Sequence, residues 1–300
     1  MRTKLLLLAV AAALAAPAAF AATPINETRP LDARGRIEID NLKGRIQIRA
    51  WNRNEVHVSG SLGEGVERLV IEGGGDHLVV RVQYPKQVGV WRGDKSGPTD
   101  LVLQVPLQAS LDVSSVSANV DIDGVASQTL SVDSVSGGIV IAAAPGSADI
   151  NSVSGDQQLT LNSRDVKVQS VSGDVALRGR LGGDVHGETV SGKLSIDSSG
   201  LPVRQVSTNT VSGDTSVHIA LANGGEMKAE TVSGDIRLRM PKALSARVSA
   251  ESFSGTLTAP GAKVDKEQYG PGSSLEQRYG TGAGEIHLET FSGDAELVLE

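Results

Sequence analysis

Nine serines recur at one position of a short motif, Ser117, Ser136, Ser154, Ser172, Ser191, Ser212, Ser233, Ser254 and Ser292, and a row of hydroxyls is the first candidate for nucleophilic chemistry. A serine nucleophile needs a base within hydrogen-bond reach, usually histidine. The five histidines, His57, His77, His186, His218 and His287, are dispersed and match no triad or metal spacing. Serines repeated at a bend are better explained by hydrogen bonds to neighbouring backbone.

The position after the motif glycine reads Asn119, Gly138, Asp156, Asp174, Lys193, Asp214, Asp235, Thr256 and Asp294. Stacked aspartates repel, which makes Asp156, Asp174, Asp214 and Asp235 the candidates for a bound cation such as calcium. Asp after Gly is also ordinary turn chemistry, and Lys193 separates the two pairs. The structural reading is preferred, and no metal or cofactor is expected. A carbohydrate-active β-helix enzyme would need two carboxylates at a set separation. The sequence offers many acids without a distinguished pair and only 3% aromatic residues to stack on sugars, so a non-enzymatic role is expected. Arg92-Gly93-Asp94, beside Trp91 in a glycine-rich stretch, resembles an integrin-binding tripeptide, a length that recurs by chance.

The motif that carries these residues is Ser or Thr, Val or Phe, Ser, then Gly or once Ala. Its apolar residue falls at Val116, Val135, Val153, Val171, Val190, Val211, Val232, Phe253 and Phe291, with spacings of 18 to 21 residues and a last interval of 38. A fixed period of this size marks units that bury their apolar faces against one another. The flanks alternate, as in Asp165-Val166-Lys167-Val168 and Asp174-Val175-Ala176-Leu177, and period two means strand. Each unit is too short to hold a crossover helix. The expected fold is therefore all-β, a parallel β-solenoid (β-helix) of roughly 18–21-residue coils, with nine coils forming a rod about 40 Å long at strand spacing.

Residues 1–22 read as a cleavable signal peptide, with Arg2 and Lys4 before the apolar run 5–15 and a small-x-small site at Ala19-Phe20-Ala21. Residues 23–106 form a divergent N-terminal β region that caps the stack, residues 107–300 carry the solenoid repeats, and 259–284 is an insertion. There Tyr269 and Tyr279, with Phe253 and Phe291 nearby, are expected to close the open core or to face a ligand. Glu296 and Glu300 on the last strand are expected to discourage edge-to-edge addition.

Losing Arg2 and Lys4 takes the formal charge from −7 to −9, and the remaining basic residues are scattered, which argues against nucleic acid. Cysteine is absent, so disulfides and thiolate sites are excluded. No stretch after the signal is apolar enough to span a bilayer.

The segment Asn41-Leu42-Lys43-Gly44-Arg45-Ile46-Gln47-Ile48, the repeated units typified by Ser152-Val153-Ser154-Gly155-Asp156, and Gly282-Ala283-Gly284-Glu285-Ile286-His287-Leu288 before Thr290-Phe291-Ser292-Gly293-Asp294 carry a resemblance. Together they resemble the bacterial putative-adhesin family of β-strand-repeat proteins, a domain of unknown function, over nearly all of the mature chain. The resemblance implies a non-catalytic binding or scaffold protein of the cell envelope, whose partner is an unidentified protein or glycan there or at the cell surface. It transfers no catalytic residue. A periplasmic structural or sensing partner is the alternative. With no translocator barrel after the repeats, the periplasm is the expected location, and secretion or surface display would need another protein.

Overall fold

Alternation produces the strands. In Ser163–Ser172, Val166 and Val168 are buried while Lys167 between them is exposed, and after the glycine Val175 and Leu177 are buried around half-buried Ala176. The computed structural model describes residues 23–85, 96–268 and 270–300, and all their regular structure is β-strand, 21 strands in one sheet. The signal segment 1–22, the Arg92-Gly93-Asp94 tripeptide with Trp91, and Tyr269 lie outside the described residues.

Through the middle of the chain each strand lies parallel to the equivalent strand of the preceding and following repeat. Val168 in Ser163–Ser172 sits beside Ile150 of Ser147–Ser154 on one side and Gly187 of Leu181–Ser191 on the other. After the corner, Leu177 of Val175–Arg178 lies between Leu159 of Gln157–Leu161 and Ile196 of Leu194–Ser212. Stacking places Val, Ile and Leu side chains in continuous buried ladders, so the core is a column of small aliphatic groups rather than a nest of rings. Each fully buried Val, Ile or Leu is worth about 1.5–3 kcal/mol relative to exposure.

The two ends depart from an all-parallel arrangement. The strand Gly284–Ser292 is inserted between Thr215–Ser233 and Ala246–Ser254, parallel to both, so stacking order differs from chain order. Beyond it, Ser273–Tyr279 pairs antiparallel with Ala246–Ser254, and Val264–Lys266 pairs antiparallel with Ser273–Tyr279. The 38-residue interval is thus an antiparallel closing flap followed by the inserted strand. At the other end, residues 36–49 of Thr23–Trp51 pair in parallel with Ser110–Asp123 on one side, and on the other with parts of Arg68–Gln83 and Thr99–Pro106. Residues 23–30 run antiparallel to Glu55–Leu62, which is itself antiparallel to Thr99–Pro106.

The last strand is paired along its length on one side and at Ala295 and Glu296 on the other. Ala295–Leu299 lies between Ile236–Met240 and Leu257–Thr258, with Glu296 bound to Arg237 at 2.8 Å and Glu300 to His218 at 3.3 Å. Glu296 thus forms an ion pair with Arg237 across the sheet face, and Glu300 lies beside the His218 imidazole.

Candidate functional site

The repeat motif turns a corner, and the corner shifts the alternation by one residue. Before it, Val113 and Ser115 face inward; after it, Ala118 and Val120 do, leaving Val116 and Ser117 both outside. The extra residue stands at the same place in every level, so register is kept across the corner. Ser115 Oγ ties it down, accepting the Ala118 N–H at 2.9 Å and donating to the Ala118 carbonyl at 3.2 Å. From the second copy on, glycine stands at the Ala118 position. Gly173 has φ +140, and a Cβ there would lie 2.4 Å from the Gly155 carbonyl oxygen of the adjacent repeat, so both conformation and close stacking require glycine.

The consequence is that the motif's apolar residue does not join the buried core. The first Ser or Thr is inward, with Thr189 only 3% exposed, while the Val or Phe points to solvent. In stacking order these outward residues are Leu42, Val116, Val135, Val153, Val171, Val190, Val211, Val232, Phe291 and Phe253, each 44–56% exposed. Two residues before each apolar position is a second outward residue, and the strand bends so that both rows line one groove of about 2000 Å³. Its floor is the apolar ladder. Its wall is the row Asp40, Ser114, Asp133, Asn151, Gln169, Glu188, Asn209, Glu230, Glu289 and Glu251.

One end of the groove is held by Tyr84, whose hydroxyl donates to Asn41 Oδ1 at 2.7 Å, and by Arg81, which binds Asp40 at 2.5 Å and Glu38 at 2.9 Å. The other end reaches the closing flap at Glu267, Gly272 and Ser273. There the Phe253 and Phe291 rings stack with centroids 4.7 Å apart and planes 6° from parallel. Along the wall, Asn151 donates to Asp133 at 2.9 Å and Gln169 donates to Glu188. That bond, opposed by burial and aided by His186 at 3.0 Å, holds the Glu188 carboxyl below its usual range. Glu230 pairs with Lys228 at 2.7 Å and Glu289 with His287 at 3.5 Å, while the Glu251 side chain makes no hydrogen bond or ion pair with the described residues.

The aspartates singled out from the sequence lie beyond the corner, away from the groove. Each accepts a backbone N–H from the next level of the stack: Asp156 from Asp174 at 3.0 Å, Asp174 from Lys193 at 2.8 Å, Asp214 from Asp235 at 3.2 Å, and Asp235 from Asp294 at 2.9 Å. Their carboxylates act as splints between levels. The serine hydroxyls work alike, Ser117 donating to the Leu42 carbonyl at 3.3 Å, Ser136 to Val116 at 3.2 Å and Ser154 to Val135 at 3.3 Å. Among the described residues, no group of three or more His, Asp or Glu is arranged to hold a metal ion.

Among the described residues Phe253, Phe291 and Tyr279 do not gather into one cap. Phe253 and Phe291 continue the exposed ladder, whereas the Tyr279 hydroxyl donates to the Pro260 carbonyl at 2.7 Å and burial pushes its phenol above the ordinary value. Tyr279 fastens the flap and does not line the groove. The groove itself was missed in the sequence, and its signal is the motif's spacing: inward residues normally alternate, but Ser115 and Ala118 are three apart.

Residues 35–298 match the family model described as Toastrack DUF4097. Among solved structures, a "putative adhesin" of Parabacteroides distasonis is 13% identical, with a TM-score of 0.52 over 92% of this chain and 98% of that one. A "putative adhesin" of Bacteroides fragilis is 12% identical over 92% and 97%, with a TM-score of 0.41. A "putative lipid binding protein" of P. distasonis is 10% identical over 91% and 96%, with a TM-score of 0.44. No curated protein matches the chain.

Proposed function

The chain belongs to the Toastrack DUF4097 family, and from that premise we propose that it is an exported, non-catalytic, adhesin-like binding module of the bacterial cell envelope. Its repeats act as one β-solenoid of 18–21-residue coils, and its ligand lies in the groove at their corners. The observation that supports this reading is the unbroken ladder from Leu42 to Phe253, ten apolar side chains each about half exposed along one face. A contiguous apolar surface of this kind marks an interaction site. A merely structural rod would place polar residues there, as it does immediately after the valine at Ser154 and Ser172.

The floor favours a partner with an apolar face over a plain glycan, since eight of its ten rungs are Val or Leu and the described rings that line the groove, Tyr84, Phe291 and Phe253, stand only at its two ends. No helix among the described residues is long and apolar enough to cross a membrane. We place the protein in the periplasm, where an adhesive contact with a host is replaced by capture of an envelope component. Nile red, a neutral apolar dye, tests the groove: its fluorescence should rise on the wild-type protein and fall by most of that gain in Val171→Asp/Val190→Asp, with unchanged circular dichroism. No rise with the wild type would sink the reading. Protease added to intact cells, then to cells with the outer membrane opened, tests location, and cleavage only after opening is expected.

A further inference from the structure

We infer that the groove receives a cationic amphipathic helix of a partner protein, lying along the valine floor with its basic side chains against the acidic wall. The inference rests on the binding reading above and names the chemistry of the occupant.

The wall supplies the charge argument. Of its ten residues, six are carboxylates and none is Lys or Arg. Three of the carboxylates, Glu230, Glu289 and Glu251, occupy directly adjacent strands of the parallel stack. Lys228 already neutralises Glu230 at 2.7 Å, so the repulsion that remains is between Glu289 and Glu251 on neighbouring strands, and basic groups from outside would relieve it. Beside the three glutamates lie the Phe291 and Phe253 rings, half exposed, which offer an apolar platform and a π face for a cation. The same wall repels fatty-acid carboxylates and phosphate headgroups, and a second copy of this chain would set carboxylate against carboxylate.

The direction of the groove supplies the backbone argument. It runs across the strands, whose N–H and C=O groups are committed to their parallel neighbours, so an extended guest finds no edge to pair with. A guest in a largely apolar groove must satisfy its own backbone, which a helix does. The floor of ten rungs is about 43 Å long at strand spacing, room for an apolar stripe of about 28 helical residues at 1.5 Å rise.

The test uses the mature chain and two fluorescently labelled 21-residue amphipathic peptides, one of Leu and Lys and one with every Lys replaced by Glu, read by anisotropy. The Leu/Lys peptide should bind, weaken in high salt, and lose roughly tenfold in affinity to Glu230→Gln/Glu289→Gln/Glu251→Gln. It should fail on Val171→Asp/Val190→Asp. Equal binding of the Leu/Glu peptide overturns the inference, as does Leu/Lys binding that neither variant changes, since that is attraction to the acidic surface at large. Flotation of the wild-type chain itself with neutral phosphatidylcholine vesicles, lost in Val171→Asp/Val190→Asp, also overturns it and points to lipid. If Nile red binds and the Leu/Lys peptide does not, the groove reading stands and the helix inference falls; if neither binds, both fall.

Discussion

At the scale of single residues, the corner is kept by atoms with no room to change. Gly173→Ala places a methyl against the Gly155 carbonyl and strains a positive φ, and should lower stability by about 1–3 kcal/mol in a denaturant titration. Gly182→Ala, where a Cβ meets nothing within 4 Å, is the neutral control. Acid sensitivity has a local source as well. Asp121 is gripped by Arg49 through two bonds of 2.9 and 2.7 Å, and this holds its carboxyl below the ordinary 3.8 against the opposing effect of burial. A depressed carboxyl stabilises the fold above its unfolded value and stops doing so as pH falls through the lower folded value. The loss therefore lies below about pH 4. Because the pair is about a third exposed, the effect is at most about 1 kcal/mol. Asp121→Asn should flatten the dependence of the urea midpoint on pH in that range, and an unchanged slope would assign the acid sensitivity elsewhere.

At the scale of elements, the sequence shows the strands plainly and the groove hardly at all. Val175 and Leu177 are read correctly as buried because alternation holds on that strand from end to end. Val166, Val168 and Ser170 alternate inward and Val171 follows outward, but Ser172, inward by strict alternation, is turned to the surface at the corner, and that slip is what opens the groove. Asp156 and its neighbours were legible as turn residues, but a sequence does not say which amide a carboxylate will face. Levels of the middle stack should be interchangeable if register is what matters. Removing residues 157–174 joins Asp156 to Val175 in the register that Gln157 occupied, and the shortened chain should stay folded with one fewer level. A molten or aggregated product would mean that the levels are individually specified.

At the scale of the whole molecule, a continuous aliphatic column without disulfides is closed at both ends by antiparallel strands. Removal of residues 284–300 should differ in kind from removal of a middle level, although the lengths are similar. It takes away the strands between Thr215–Ser233 and Ala246–Ser254, and amides of residues 246–254 should then exchange with deuterium far faster than those of 166–172. Equal protection in both segments would show that the neighbours re-pair across the gap.

The inserted strand has a consequence for how such a chain is completed. A polypeptide emerging from its N-terminus can zip level upon level as far as Met240, but the segment around Phe253 has no seat in the stack until residues 284–300 arrive and slide in beneath it. Residues 284–300 are therefore a keystone, made after the level that they seat. A chain clipped or terminated before residue 284 is left with a bare parallel edge at Thr215–Ser233, a sticky end open to proteases and to other chains, so the architecture itself distinguishes copies that hold this strand from copies that lack it.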